Sequence, residues 1–261
     1  MTEPSILHVE RRPPVAVLTL NRPEKRNALS VALLQGIRAA LQELGDEEAV
    51  RVLILTGNDE FFSSGMDLDD LAGVANVADT HRILGESRAT NAEIERCPKP
   101  VIAAISGYCL TGGLELAMAC DIRVAAENAR FAITSARIGT VAGMGGTQRL
   151  PRLVGPAKAK ELLFSTEFID AQEALRIGLV NKVAPTGEGV KSAEALAGVF
   201  AQRAPLSLWY AKMAVNAGMN MDLESALSFE AGLTAQLYTT EDKAEGMRAF
   251  LEKREPRFKG R

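Results

Sequence analysis

Three observations in the sequence predict an α/β core followed by a helical C-terminal region. Short β-rich runs alternate with helical patterns up to about Val183, the internal strand candidates are apolar throughout, and the chain is helical in pattern from Glu188 onward. Val15 to Leu20 reads as a strand. Ser30 to Leu44 follows as an amphipathic helix with Ser30 as its N-cap, because a serine oxygen can accept from the first unpaired helix amides. Val52 to Thr56, Val101 to Ile105 and Ile122 to Ala126 are the continuous apolar runs of strands covered on both faces. After Glu188, only Pro205 and the stretch Gly218 to Met221 break the helical pattern, and Leu223, Ala226, Leu227 and Glu230 fall at helical spacing. A division at residues 1–187 and 188–261 is therefore expected, with the helices packed on the core or on another subunit.

Length and charge exclude several function classes. A chain of 261 residues suffices for one large domain or a domain with a helical appendage. A net charge of −3 gives no electrostatic reason to expect nucleic acid or an anionic membrane as partner. No apolar run approaches the ~20 residues of a membrane-spanning helix. The start, Met1-Thr2-Glu3-Pro4, has neither the basic-then-apolar order of a signal peptide nor an Arg/Ser-rich amphipathic pattern, so a cytoplasmic protein is expected. Cys97, Cys109 and Cys120 sit in or beside apolar stretches and read as reduced core residues without zinc-like spacing. With His8 and His81 the only histidines, a histidine-built metal site or a Ser-His-Asp triad has little to work with.

Two glycine-containing turns carry the chemistry. In Phe61-Phe62-Ser63-Ser64-Gly65-Met66-Asp67-Leu68, small residues leave backbone amides exposed before a helix that starts at about Asp67; an ordinary strand-to-helix turn is the plainer alternative. In Thr111-Gly112-Gly113-Leu114-Glu115-Leu116, a glycine pair opens a helix apolar on nearly all sides, whose first amides must face the interior. Glu115 in its first turn is costly to ionise there, which marks it as an acid–base candidate. The alternative is a capping box with Gly112 at N-cap and Glu115 at N3, although glycine has no side chain to complete it. Two amides converging on one carbonyl oxygen would hold a developing oxyanion. A dinucleotide-binding dehydrogenase is excluded by motif context: Thr111-Gly112-Gly113 lacks the spaced glycines, and no acidic ribose ligand follows a second strand.

The ordered set Asn21-Arg22-Pro23-Glu24-Lys25-Arg26-Asn27-Ala28-Leu29, Phe62 to Leu68, Gly112 to Ala117, Gly143-Met144-Gly145-Gly146-Thr147-Gln148-Arg149-Leu150, Ala174 to Val180 and Phe250 to Arg254 resembles the enoyl-CoA hydratase/isomerase (crotonase) superfamily over nearly the whole chain. The resemblance implies a spiral of repeated ββα units and a C-terminal helical trimerisation region, assembled as a homotrimer or a dimer of trimers. It implies an acyl-CoA substrate, with coenzyme A entering as part of the substrate and no separate cofactor or metal. By position, the N–H groups of Met66 and Gly112 would form the oxyanion hole. Lys25, Arg26, Ala28, Ser64, Asp67 and Leu68 would line the coenzyme A groove, and Leu71 to Arg96 would cover the acyl pocket, with His81 solvated. Phe250 and Lys253 would reach the adenosine-phosphate end, often of a neighbouring subunit; a core anchor and a surface charge are their alternatives.

One departure matters. Glu115 matches the first of two glutamates used by hydratases, while the F-x-x-P-E-x-x-x-G-T segment of the second reads Phe131-Ala132-Ile133-Thr134-Ser135-Ala136-Arg137-Ile138-Gly139-Thr140. Ser135 thus stands where the second glutamate would be, and no other carboxylate lies between Arg130 and Leu150. A serine hydroxyl can position water but cannot act as a carboxylic acid. A hydratase or dehydratase in which Glu115 alone moves protons and Ser135 holds the water is the first expectation. An acyl-CoA decarboxylase, an enoyl-CoA isomerase and a non-catalytic acyl-CoA-binding oligomer stay open. Arg137 either meets an acidic substrate tail or forms a surface ion pair.

Overall fold

The computed structural model describes residues 5–261; the stretch Met1 to Pro4, read above for targeting, lies outside them. β1 (Leu7–Arg12) and β2 (Val15–Leu20) pair antiparallel, and α1 (Val31–Asp46) follows with Ser30 Oγ accepting from Leu33 N–H. β1, unread in the sequence, lies at the sheet edge, and most of its residues are exposed, which removes the apolar signal.

The chain then makes the same excursion three times. β3 (Val52–Thr56) leads to β4 (Phe61–Ser63), α2 (Leu68–Ala72) and α3 (Val77–Arg96). β5 (Val101–Ile105) leads to β6 (Tyr108–Leu110) and α4 (Gly112–Ala119). β7 (Ile122–Ala126) leads to β8 (Arg130–Ala132), a 3-10 turn at Ser135–Ile138, α5 (Gly146–Val154) and α6 (Pro156–Ser165). β9 (Ile169–Asp170), α7 (Ala171–Arg176) and β10 (Lys182–Ala184) complete this part.

Each excursion places its long strand in one sheet and its short strand in another. The larger sheet has the order β1-β2-β3-β5-β7-β10, parallel from β2 onward, with Ile54 beside Ile102 and Ala104 beside Val124. The smaller has the order β4-β6-β8-β9, with β4, β6 and β8 parallel. Every residue of β3 and β5 is buried, as their unbroken apolar sequences require. Three ββα units in register put the turns that leave β4, β6 and β8 side by side, at the carboxyl ends of neighbouring parallel strands. In open α/β sheets that end of the strands is where ligands bind.

Beyond β10 come α8 (Gly189–Ala201), α9 (Pro205–Gly218), α10 (Leu223–Leu237) and α11 (Glu241–Leu251). Ala193 and Ala197 of α8 are fully buried against Val52, Ile54 and Ile102 of the larger sheet. The helical region expected from residue 188 therefore begins with a helix that covers the core's own sheet. Cys97, Cys109 and Cys120 are all buried free thiols. Among the described residues, no helix is long and apolar enough to cross a membrane.

Candidate active site

The three turns that leave the small sheet close around a cavity of about 560 Å³, within the usual range for small-molecule sites. The first contributes Ser64, Gly65 and Met66, the second Thr111, Gly112 and Glu115, and the third Thr134 and Ser135. Leu71, Val74, Ile83 and Leu84 from the segment over the opening, with Ile138, Val141 and Met144, supply an apolar wall. Glu115 is the only ionisable residue in this lining.

Backbone pairing decides which amides face the cavity. Leu29 N–H donates to the Gly65 carbonyl at 2.8 Å and Asp67 N–H to the Leu29 carbonyl at 3.0 Å. This parallel bridge uses the groups on either side of Met66 and leaves the Met66 N–H on the opposite edge. Gly112 is the first residue of α4, where no preceding carbonyl is in reach. Among the described residues no protein group accepts from the N–H of either Met66 or Gly112. The two turns touch: a Cβ at Gly112 would lie 3.2 Å from Met66 N and 2.8 Å from Met144 Sδ. Gly65, at φ +107°, takes a backbone conformation that disfavours other residues, and a Cβ there would lie 3.4 Å from Gly112 N.

Glu115 is 1% exposed. Its Oε1 accepts from Met144 N–H at 2.8 Å and Gly146 N–H at 2.7 Å. These donors belong to the glycine-rich turn entering α5, and that turn is pinned through the Met144 carbonyl by Asn91 Nδ2 at 2.8 Å and Arg149 NH1 at 3.1 Å. Burial pushes the carboxyl pKa up to about 7, against the lowering effect of the two amides and of Arg149. At ~1.4 kcal/mol per tenfold change in the proton equilibrium, ionisation in the folded protein costs about 3 kcal/mol more than in the unfolded chain.

The capping-box alternative is corrected. The N-cap is Thr111, one residue earlier than expected, so Glu115 is the fourth helical residue and its carboxylate engages the entry to α5 instead of its own helix start. Arg137 forms no ion pair among the described residues: its guanidinium donates to Thr166 Oγ1 and to the Thr166 carbonyl, each at 2.7 Å, and stands over the Phe168 ring, outside the cavity lining.

Of the candidate residues, Ser64, Met66, Leu68, Gly112, Glu115 and Ser135 share the cavity. Lys25, Arg26 and Ala28 are tied to its rim without lining it. Arg26 carbonyl accepts from Ser64 N–H at 3.0 Å, the Arg26 guanidinium stands 5.8 Å from the Phe61 ring centroid, Lys25 pairs with Asp69 at 2.8 Å, and Ala28 is buried. Asp67 is also outside the lining; its carboxylate caps α2 through Asp69 N–H and pairs with Arg22 at 2.7 Å, fixing the turn behind Met66. Phe250, 80% exposed, and Lys253 sit at the end of α11 and do not line this cavity.

Sequence reasoning missed Met144 and Gly146 as the donors that hold Glu115, although Gly143, Gly145 and Gly146 signalled exposed amides. It also missed the Thr111–Thr134 hydroxyl pair, at 2.9 Å, with Thr134 N–H donating to Thr111 Oγ1 at 3.1 Å. Thr134 stands at the proline of the F-x-x-P-E pattern, and proline has neither that N–H nor a hydroxyl.

Residues 10–261 match the family model described as enoyl-CoA hydratase/isomerase. The chain is 42% identical to crotonyl-CoA hydratase of Syntrophomonas wolfei over 252 residues, covering 96% of each protein. It is likewise 42% identical to 2,3-dehydroadipyl-CoA hydratase of Escherichia coli, covering 98% of this chain and 100% of that one. The crystal structure of an enoyl-CoA hydratase from Bacillus anthracis superimposes with a TM-score of 0.94 at 39% identity, covering 98% of this chain and all of the other.

Proposed function

The chain belongs to the enoyl-CoA hydratase/isomerase family, and from that premise we propose that it adds water across the α,β double bond of an enoyl-CoA thioester, and removes it in reverse, with Glu115 as the single catalytic carboxylate. One observation carries the proposal: a buried carboxylate with one oxygen held by two amides shares its cavity with two unpaired backbone donors.

The thioester oxygen receives the N–H groups of Met66 and Gly112, which polarise the conjugated double bond. Ser135 Oγ holds the water. Glu115, ionised, accepts one water proton as the oxygen adds to the β-carbon, and the alkene electron pair moves toward the thioester oxygen as an enolate. The enolate then takes that proton at the α-carbon and the carboxylate is restored. Atoms and charge balance with no second acid. Since Glu115 begins and ends ionised in both directions, kcat/KM for hydration and for dehydration is expected to rise together with pH through about 7 and then level, without a falling limb from a second carboxyl. A bell with an acidic group on its falling side would remove the single-carboxylate mechanism. Turnover of crotonyl-CoA followed spectrophotometrically is the direct test, and Ser135→Glu is expected not to lower it. No hydration together with CO₂ release from methylmalonyl-CoA would replace the proposal with decarboxylation.

We also propose a trimer or a dimer of trimers built through the C-terminal helices. Val215, Met219, Leu223, Leu227, Met247 and Leu251 are exposed along α9 to α11, more apolar surface than a lone helical region keeps in water. Phe250 and Lys253, which do not line their own chain's cavity, then have a neighbour's groove as their place of action. A solution mass of three or six chains by light scattering is expected; a monomer would refute it.

A further inference from the structure

Thr111 holds a backbone conformation that its side chain opposes, with φ +45° and ψ −110°. A β-branched residue at positive φ is a genuine outlier, and such strain persists only where surrounding contacts over-determine it. Here they do: Thr111 N–H donates to the Ala132 carbonyl at 2.8 Å, its carbonyl accepts from Glu115 N–H at 2.9 Å, and its hydroxyl joins Thr134. The side chain thereby couples the turn that bears Gly112 to the turn that bears Ser135.

The hydroxyl inventory of this wall leaves donors to spare. Thr111 and Thr134 have two hydroxyl hydrogens and use one between themselves, whichever of them donates, while Thr134 N–H occupies a lone pair of Thr111. One O–H of the pair is therefore free. Ser135 Oγ makes no hydrogen bond to the described protein residues, so a second O–H is free in the same lining. These three hydroxyls stand on two adjacent turns of the lining, Thr111 beside the Gly112 amide and Thr134 with Ser135 on the next turn, while the Met66 amide comes from the turn on the other side of Gly112.

We propose that Thr111, Thr134 and Ser135 form a hydroxyl-binding subsite that positions the attacking water and, in the reverse reaction, receives the β-hydroxyl of the 3-hydroxyacyl thioester, with Thr134 contacting that oxygen and Thr111 acting as a positioning residue through Thr134. The proposal rests on the hydratase reading above and adds to it the recognition of one substituent.

Such a subsite has a kinetic signature that a purely structural role lacks. The enoyl thioester has no β-hydroxyl, so its binding does not use the subsite, whereas the 3-hydroxyacyl thioester and the transition state do. Thr134→Val keeps the branched shape and the N–H to Thr111 but removes the Thr134 hydroxyl assigned to that oxygen. In hydration of crotonyl-CoA, kcat is expected to fall about tenfold with KM unchanged, the size of one neutral hydrogen bond. In dehydration of 3-hydroxybutyryl-CoA, KM is expected to rise about tenfold with kcat unchanged. The overall equilibrium constant requires the two kcat/KM values to fall together, which serves as an internal check. Thr134→Ser restores the hydroxyl and is expected to return both directions to near the wild-type values. Thr111→Gly deletes the coupling hydroxyl and relieves the strain, so it should show a raised Tm with lowered hydration kcat. The proposal is overturned if Thr134→Val leaves both directions unaltered, if it raises KM for crotonyl-CoA as much as for the hydroxy thioester, or if Thr134→Ser is equally impaired. A wild-type protein that hydrates nothing overturns the hydratase reading and this proposal with it, an outcome distinct from an active wild type indifferent to Thr134.

Discussion

Glu115→Gln is expected to lower crotonyl-CoA hydration at least tenfold and to make the protein more stable at pH 8. General acid–base groups typically contribute ~10²–10⁴-fold, and no other ionisable side chain lines the cavity to take over the proton. The amide keeps the shape and leaves an oxygen for Met144 and Gly146 N–H, so the loss reports proton transfer and not collapse of the turn. The stability gain follows from the same burial. The folded protein holds the Glu115 proton to about pH 7, while the unfolded chain releases it near the ordinary 4.5. Between those values the folded state binds the extra proton, so wild-type stability falls as pH rises through the window, and above about 7 the penalty is fully present. Glutamine does not ionise, and its Tm advantage over wild type should grow from pH 5 to pH 8. An equal rate in the variant would take Glu115 out of the mechanism; a Tm difference that ignores pH would mean the carboxyl is not the buried, proton-retaining group described here.

Gly112→Ala is expected to reduce kcat by about 10²–10³, the cost of removing one oxyanion donor. The added methyl would stand 3.2 Å from Met66 N, in the space where a thioester oxygen would meet both amides. It would also press on the Met144 sulfur at 2.8 Å, and Met144 N–H is one of the donors to Glu115. Both effects act on turnover, while coenzyme A itself, which carries no thioester carbonyl, should bind the variant with little change by calorimetry. Loss of coenzyme A affinity in step with kcat would instead mean that the whole groove had shifted.

The long strands were legible because burial on both faces writes an unbroken apolar run: Val52–Thr56, Val101–Ile105 and Ile122–Ala126 are observed with the boundaries read from sequence. The small sheet was not. Its strands have two or three residues, too few for any periodicity, and they pair only because β3, β5 and β7 deliver them side by side. The break between α10 and α11 was also missed; Thr240 caps the second helix through Lys243 N–H, a signal carried by one residue among many helix formers. At the site, the two glycine turns and Glu115 were readable from local chemistry, since glycine turns and a glutamate among leucines are conspicuous in one dimension, whereas the choice of the Met66 and Gly112 amides within those turns came from the family resemblance. The groups that hold Glu115 come from residues 144 and 146, about thirty positions downstream, and backbone donors leave no side-chain signature to search for. Thr111 hid for the opposite reason: threonine is unremarkable in a sequence, and only its dihedral angle marks it.

The clamp on one oxygen of Glu115 has a consequence for stereochemistry. With Oε1 occupied by two amides, Oε2 is left as the sole carrier, and a group anchored on one side of a planar alkene reaches one face only. Under the proposed single-carboxylate hydration, hydrogen and hydroxyl would arrive from that same face, so product formed in deuterated solvent is expected to carry its label at a single diastereotopic position of the α-carbon.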